Sequence, residues 1–450
     1  MGIREELHDA LDGQAFSSEA ILARVATQLD SSRRTHNDRW AVAIALMLTV
    51  ALVATLFAAR AVRDANHEAP NSVGAASKCL PTLKRSSISG NRPHITEYAV
   101  PADLTGLGSI TAGADGNLWL VGYAGVAPNI LIVRLTTSGT FAEYRVPTAN
   151  TYIGGITAGP DGNLWFTQNP LATSAAPASG ARQSRPGHVD TAKVVRLTTS
   201  GSFTEYAVST IGDELGGITT GPDCNLWVVD SGANAIMKMT TSGNVTEYAI
   251  PSPDSYPSAI TAGPDGALWF TEAGKGKIGE TGKVGRVTIL GAITEFPLPS
   301  SGSSWGYRPT GIAAGRDGNL WITEYGHWPG GGPGRVAKLT TSGAFTEYNV
   351  PTTKLAPGLS LMRDMGPNHL AAGPDGKLWF SNFWNLDSVT TKGIFSQYVI
   401  PAPEGHFSQV YAIAAGPDGA LWFTGSILFD ESNSTTQRPL VGKMTFTPER

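Results

Sequence analysis

The stretch that decides the fold reads ITAGPDGALWFTE, from Ile260 to Glu272. Close variants of this phrase recur along the chain, and the tryptophan in it occurs seven times, at Trp119, Trp165, Trp227, Trp269, Trp321, Trp379 and Trp422. The spacings run from 42 to 62 residues, which indicates one unit that accepts insertions. A unit repeated at this period predicts a repeat architecture with one shared core.

Each unit contains four short β-rich runs, which we label strands A to D. An Asp-containing turn separates ITAG (strand A) from LWFT (strand B), with Asp as the turn cap and Gly accepting positive φ. A second phrase, clearest at Arg196–Tyr206 (RLTTSGSFTEY), joins strands C and D through a Ser-Gly hairpin. Seven such units predict an all-β, seven-bladed β-propeller in which each sheet packs against the next.

The two ends of the repeat region predict how the ring closes. The seventh unit stops after its C strand, Val441–Phe446, while an unused D strand, Ile95–Pro101, precedes the first A strand. We therefore expect the N- and C-terminal strands to share the last blade.

Most of the repeated residues have a structural interpretation. The tryptophans offer large apolar faces for packing between blades, and we interpret the repeated Asp as a turn cap rather than a metal ligand. Cys224 takes the place of the turn Gly in the third unit. We expect it to be an unpaired thiol, with a bridge to Cys79 as the alternative.

The N-terminal part of the chain has a different organisation. Trp40–Ala59 is an apolar run without a charge, long enough to cross a bilayer. The predicted domains are a helical cytoplasmic segment at 1–39, a single transmembrane helix at 40–62, a linker at 63–93 and the propeller at 94–450. The excess of arginine before the apolar run places the N-terminus in the cytoplasm and the propeller outside it, at the plasma membrane.

The repeats resemble those of the streptogramin (virginiamycin B) lyase family. The phrases ITAGPDGALWFTE and KLTTSGAFTEYNVP carry the resemblance, which covers residues 94–446. It implies a propeller that opens a cyclic depsipeptide by eliminating across its ester, with a Mg²⁺ ion and a histidine base.

The residues at the family's active positions depart from its pattern. Its two histidines correspond to Asn368 and Tyr411, although His369 lies one place further on, and its metal-side carboxylates correspond to Gln409 and Ser426. The catalytic candidates that remain are His369, Tyr411 and His327, which lies in a loop insertion. The resemblance thus implies the fold more firmly than the chemistry.

Polar and aromatic residues flank the strands where the D–A and B–C loops converge. The ligand-binding candidates are Tyr152, Tyr256, Arg308, Asn368 and Trp384, and the aromatic ones suit either ligand stacking or packing between blades. Glu272 and Glu324, both from the repeated WFTE phrase, are the metal candidates, with a structural role as the alternative.

These features predict a membrane-anchored, extracytoplasmic, monomeric propeller that binds a small molecule, peptide or glycan. The alternative is a Mg²⁺-dependent carbon–oxygen lyase with a rearranged site, using His369 or His327 as the base. A lactonase-like hydrolase that uses Glu272, Glu324 and Asn382 is a third hypothesis. The net charge of −4 gives no basic surface for nucleic acid.

Overall fold

The computed structural model describes residues 91–125, 129–171, 191–208, 214–274, 281–299, 306–326, 333–351, 367–382, 385–403, 406–428 and 437–448. This part of the chain consists of strands joined by turns and loops. None of its elements is a helix able to cross a membrane. The predicted cytoplasmic segment, membrane helix and most of the linker lie outside these ranges.

The described residues form 28 strands in seven four-stranded antiparallel sheets. Blade 1 contains β2 (Leu104–Ala112), β3 (Leu118–Ala124), β4 (Asn129–Leu135) and β5 (Phe141–Arg145). Blade 2 contains β6 (Thr151–Ala158), β7 (Leu164–Pro170), β8 (Lys193–Leu197) and β9 (Phe203–Ala207). Blade 3 contains β10 (Leu215–Thr220), β11 (Leu226–Asp230), β12 (Ala235–Met239) and β13 (Val245–Ala249).

The next three blades follow the same order. Blade 4 contains β14 (Pro257–Ala262), β15 (Leu268–Glu272), β16 (Lys283–Val287) and β17 (Ile293–Pro297). Blade 5 contains β18 (Tyr307–Ala314), β19 (Leu320–Gly326), β20 (Arg335–Leu339) and β21 (Phe345–Asn349). Blade 6 contains β22 (Leu370–Ala372), β23 (Leu378–Asn382), β24 (Asn385–Val389) and β25 (Phe395–Val399).

Blade 7 joins the two ends of the propeller. It contains β26 (Phe407–Ala415), β27 (Leu421–Leu428), β28 (Gln437–Pro448) and, as its outer strand, β1 (Asn91–Tyr98). Ile95 pairs with Met444 and Tyr98 with Val441, so the predicted closure is confirmed. The strand starts at Asn91, within the segment assigned to the linker, because pairing continues as far as Pro448.

The A strands surround the centre of the ring. Each contacts the A strands of both neighbouring blades, and the contact between β26 and β2 completes the circle. A meander of four antiparallel strands puts the A–B and C–D turns on one face, the turn face, and the D–A and B–C loops on the other, the loop face. Asn91 and Pro448 lie at the turn-face end of blade 7, so the preceding chain enters opposite the loop face.

The tryptophan of every unit is buried between blades, as predicted. Trp269 packs with Leu320 and Ile322 of the next blade. In all seven units the indole N–H donates to the turn Asp four residues earlier, over 2.9 to 3.1 Å. The turn Asp therefore has a second role, because it satisfies a buried donor that would otherwise cost free energy.

An aromatic residue of strand D stacks on each tryptophan, with ring centroids 5.1 to 5.9 Å apart. The C–D turn of the next blade lies against this aromatic ring. A Cβ atom at Gly291, for example, would lie 2.0 Å from the ring of Tyr248. The glycine of the Ser-Gly phrase is thus required both by its positive φ of 92° and by this close approach.

The expectation of an unpaired Cys224 is wrong, because Cys224 is disulfide-bonded. It has a φ of 57° in the A–B turn of blade 3, where the other six units have glycine. A side chain with a Cβ is strained there, so the cysteine is explained by its bond and not by the turn. The chain has one other cysteine, Cys79, outside the described residues.

We expect non-reducing peptide mapping to recover Cys224 cross-linked to Cys79. The variant Cys224→Gly should lose about 2–4 kcal/mol of stability in oxidising buffer. In reducing buffer it should be more stable than the reduced wild type by about 1 kcal/mol, because glycine relieves the backbone strain. Denaturant titrations under both conditions measure the difference, and a Cys224 thiol that reacts with a thiol reagent in the unreduced native protein would contradict the prediction.

Candidate functional site

One position in each A strand lies at the loop-face entrance of the ring. It is seven residues before the glycine that ends strand A, and we call it the mouth position. Its occupants in the described structure are Gly106, Tyr152, Glu214, Tyr256, Arg308 and Gln409. Each mouth residue pairs with a residue at the end of strand B, four places after the tryptophan of its unit. In blade order these partners are Tyr123, Asn169, Ser231, Ala273, Tyr325 and Ser426. The mouth is therefore rich in aromatic and polar side chains.

Blades 2 and 3 are joined at the mouth by side-chain hydrogen bonds. The Tyr152 hydroxyl donates to Glu214 over 3.1 Å. The buried Asn169 amide both donates to the carbonyl of Leu215 and accepts from its N–H, at 2.8 Å each. These contacts fix two neighbouring parts of the rim, and they engage Tyr152, one of the ligand candidates, with a carboxylate.

Tyr256 is presented to solvent by a strained loop. Its side chain is 49% exposed and its φ is 48°, an unusual value for an aromatic residue. The N–H of Ala273 donates to the carbonyl of Tyr256, and Ser255 is anchored to the Asn234 side chain through both its N–H and its hydroxyl. The surrounding contacts thus hold the loop in a conformation that exposes the ring.

Arg308 lies on β18, paired with Tyr325 of the adjacent strand, and it is half-buried. Within the described part of the chain, its guanidinium has no hydrogen bond or ion pair. The neighbouring Arg335 differs in this respect, since it pairs with Glu347 at 3.4 Å and stacks 3.8 Å above the ring of Tyr307.

Blade 7 carries a neutral hydrogen-bonded cluster, which we call the blade 7 cluster: Gln409, Tyr411, Ser426 and Gln437. The Tyr411 hydroxyl lies 2.7 Å from the Ser426 hydroxyl and 3.3 Å from the side-chain oxygens of Gln409 and Gln437. Three of these residues occupy the positions that the family resemblance assigns to a base and metal-side carboxylates. Gln437 was not predicted, because a B–C insertion hides its register with strand B in the sequence.

His369 and Asn368 precede β22 on the inner wall of blade 6. Both side chains are exposed, and their backbone atoms bond to Ser381 and Thr323. Desolvation lowers the pKa of His369. Exposure and desolvation are compatible, because a side chain on the wall of a narrow channel can touch water while protein surrounds its other sides.

Glu272 is buried at the end of β15, and neither carboxyl oxygen has a hydrogen-bond partner at normal geometry. Burial, reinforced by the Glu295 carboxyl, raises its pKa to about 8, against the opposing effects of Lys283 and Ser255. Lys283 itself pairs with Glu295 at 3.1 Å and bonds to Ser252. Glu272 is therefore a neutral carboxylic acid at pH 7.

Glu324 occupies the equivalent place in blade 5 and is equally buried, again without a partner for either oxygen. Burial and the charge of Glu347 raise its pKa to about 8, against the effect of Arg335. Glu272 does not contribute to the raised pKa of Glu324, and Glu324 does not contribute to that of Glu272. The two metal candidates thus lie in separate pockets.

Glu272 and Glu324 each lie three residues after the tryptophan of their unit, and two other blades have a neutral side chain at this position. In blade 2 it is Gln168, whose amide donates to the Thr148 carbonyl and the Thr151 hydroxyl. In blade 6 it is Asn382, which donates to Asp387 over 2.8 Å. In blade 3 it is the buried Asp230, which accepts a hydrogen bond from the N–H of Ala233. These side chains bond to nearby residues of the chain, which favours the structural alternative for Glu272 and Glu324.

Two predicted site residues, His327 and Trp384, lie outside the described residues. Within the described ranges, no group of three or more His, Cys, Asp or Glu side chains is placed to hold a metal ion.

The comparisons with known proteins agree with the repeats. A profile described as the virginiamycin B lyase family matches residues 187–359. A solved streptogramin B lyase shares 26% identity over 79% of this chain and 98% of its own, with a TM-score of 0.58. A catalytically inactive histidine-to-alanine variant of virginiamycin B lyase from Staphylococcus aureus, solved with quinupristin, shares 27% identity over 79% and 99%, with a TM-score of 0.58. No curated protein matches the chain.

The fold is that of a seven-bladed propeller with a polar and aromatic mouth on its loop face. The resemblance to the virginiamycin B lyase family is confirmed by the family match and by the solved lyases.

The Mg²⁺ ion that the family implies does not fit the residues at its expected position. Gln409, Tyr411 and Ser426 are uncharged and already bonded to one another. Mg²⁺ in proteins is normally held through carboxylates, and none is present in this cluster.

Proposed function

We propose that this protein is a ligand-binding propeller that retains the lyase fold without the lyase's metal chemistry. The blade 7 cluster carries the proposal. Its hydroxyls and amides are suited to bind carbonyl and hydroxyl groups of a ligand, since such groups accept and donate hydrogen bonds without a metal.

The proposed location is the outer side of the plasma membrane, with the chain anchored by the apolar run Trp40–Ala59. Two observations support it. The disulfide at Cys224 suits an oxidising compartment. The propeller chain enters at the turn face, through Asn91, which leaves the mouth on the face opposite that entry.

A cyclic depsipeptide tests the proposal, because quinupristin is the compound solved with the S. aureus protein. We expect calorimetry to show that the chain binds quinupristin, and mass spectrometry to show no ring opening with or without Mg²⁺. The double variant Tyr411→Phe with Ser426→Ala should weaken binding roughly tenfold, as expected for the loss of two hydrogen bonds. Mg²⁺-dependent ring opening by the wild type would refute the proposal.

A rearranged lyase is the second candidate, and one observation favours it. The lowered pKa of His369 keeps its imidazole neutral near pH 7, which is the form a general base needs. Its nitrogen would accept the proton on the carbon next to a carbonyl, and the electrons of that C–H bond would form a carbon–carbon double bond. The ester oxygen would leave as a carboxylate with the electrons of the broken C–O bond, so the ring would open without added water. In that case His369→Ala should abolish ring opening, and unchanged turnover would exclude this base.

A further inference from the structure

We propose that Arg308 is a recognition point for an anionic group at the mouth, and that Tyr256 is the surface on which the ring of the same ligand stacks. This inference rests on the proposed binding function and names the chemistry of its ligand: an oxyanion, carboxylate or phosphate, attached to a flat ring.

Arg308 lies half-buried at the mouth without a bonding partner among the described residues. A half-buried arginine loses part of its hydration, and this cost is normally offset by a carboxylate or hydrogen-bond acceptors. Among the described residues Arg308 has neither. The carboxyl group nearest in register, that of Glu324, is protonated at pH 7 and responds to Arg335 and Glu347 instead.

The charges at the other mouth positions also bear on the kind of ligand. Glu214 is bonded to Tyr152, while Gln409 belongs to the neutral cluster of blade 7. Arg308 is the cation at the described mouth positions, while the anion among them, Glu214, lies two blades away in blade 3. A guanidinium presents paired N–H donors that match the two oxygens of a carboxylate or phosphate.

The adjacent blade contributes an aromatic ring to the mouth. Tyr256 occupies the same mouth position in blade 4 as Arg308 does in blade 5, and strands β14 and β18 are in contact. Its ring is exposed while its backbone is held in the left-handed region. Local strain of this kind is maintained by surrounding contacts and is frequent at ligand-binding sites. An exposed tyrosine ring on the blade next to that of Arg308 suits a flat ring bearing a negative group.

Ligand-observed NMR on the full-length protein tests the inference with four probes: benzoate, phenyl phosphate, benzamide and cyclohexanecarboxylate. Benzamide has the shape of benzoate without its charge, and cyclohexanecarboxylate has the charge without the flat ring. We expect benzoate or phenyl phosphate to bind at least tenfold more tightly than benzamide. The stronger of the two identifies the oxyanion.

The variants separate the two residues. Arg308→Gln should reduce binding of the anionic probe at least tenfold and remove its preference over benzamide. Tyr256→Ala should reduce the preference for benzoate over cyclohexanecarboxylate. Arg316→Gln is the matched control, since Arg316 is exposed in the A–B turn of the same blade, on the opposite face, and its loss should change nothing.

Equal binding of benzoate and benzamide, or unchanged binding by Arg308→Gln, would overturn the inference. Quinupristin separates this failure from that of the proposed function. If the blade 7 variants weaken quinupristin binding while Arg308→Gln leaves the probes unaffected, the anion site alone is refuted. If neither quinupristin nor any probe binds, both proposals fail.

Discussion

Removal of Asn91–Tyr98 is expected to leave the protein without a stable propeller. Strand β1 supplies the outer strand of blade 7, pairs along β28 and stacks Tyr98 on Trp422 with centroids 5.1 Å apart. Its loss would expose the edge of β28 and the apolar groups around Met444. A closed ring depends on every interface, so the loss should amount to several kcal/mol, on the order of the whole stability of a domain.

Denaturant unfolding followed by tryptophan fluorescence measures this effect, since seven of the tryptophans are buried. The matched control keeps β1 and carries Glu97→Ala, which removes an exposed ion pair with Arg438 at 3.8 Å. We expect that variant to stay within about 0.5 kcal/mol of the wild type. A deletion variant that unfolded cooperatively at the wild-type midpoint would show that the ring does not need this closure.

The second large effect is the pH dependence of stability. Burial raises the pKa of both Glu272 and Glu324 from 4.5 to about 8. The native state therefore keeps two protons that the unfolded chain releases as pH rises above 4.5. The contribution of these groups to stability is complete below pH 4.5, falls as pH rises, and is lost once pH exceeds about 8.

The variants Glu272→Gln and Glu324→Gln should be more stable than the wild type at pH 9, each by on the order of 2–4 kcal/mol, and close to it at pH 4.5. Gln168 in blade 2 shows that the pocket accepts an amide. Gln168→Glu is the reciprocal variant, and it should acquire the same loss of stability at high pH. Parallel stability–pH curves for the wild type and Glu272→Gln would contradict the assignment.

Most of the architecture could be predicted from the sequence because the repeat is clear. The period of the tryptophans, the turn residues and the unused D strand are local signals, and each corresponds to a strand or turn of fixed geometry. The A-to-D order and the closure in blade 7 could therefore be predicted. The second role of the turn Asp, as acceptor for the indole N–H, depends on a side-chain orientation that the pattern does not encode.

The candidate site could be predicted only in part. The sequence placed Tyr152, Tyr256, Arg308 and Tyr411 near one face, because that follows from their positions relative to the strands. It could not show that Tyr152 is engaged by Glu214, that Arg308 has no partner in the described structure, or that Gln437 joins Tyr411.

By itself, therefore, the sequence determined the number of blades, the order of their strands and the departure from the family's catalytic residues. Hydrophobic periodicity and turn chemistry act between residues close in the chain, so they can be read from it. The tertiary structure alone decided the protonation of Glu272 and Glu324 and the bonding of Cys224. It also decided which mouth residues have a hydrogen-bond or ion-pair partner. Burial, desolvation and contacts between blades depend on residues far apart in the chain that meet only when the ring is closed.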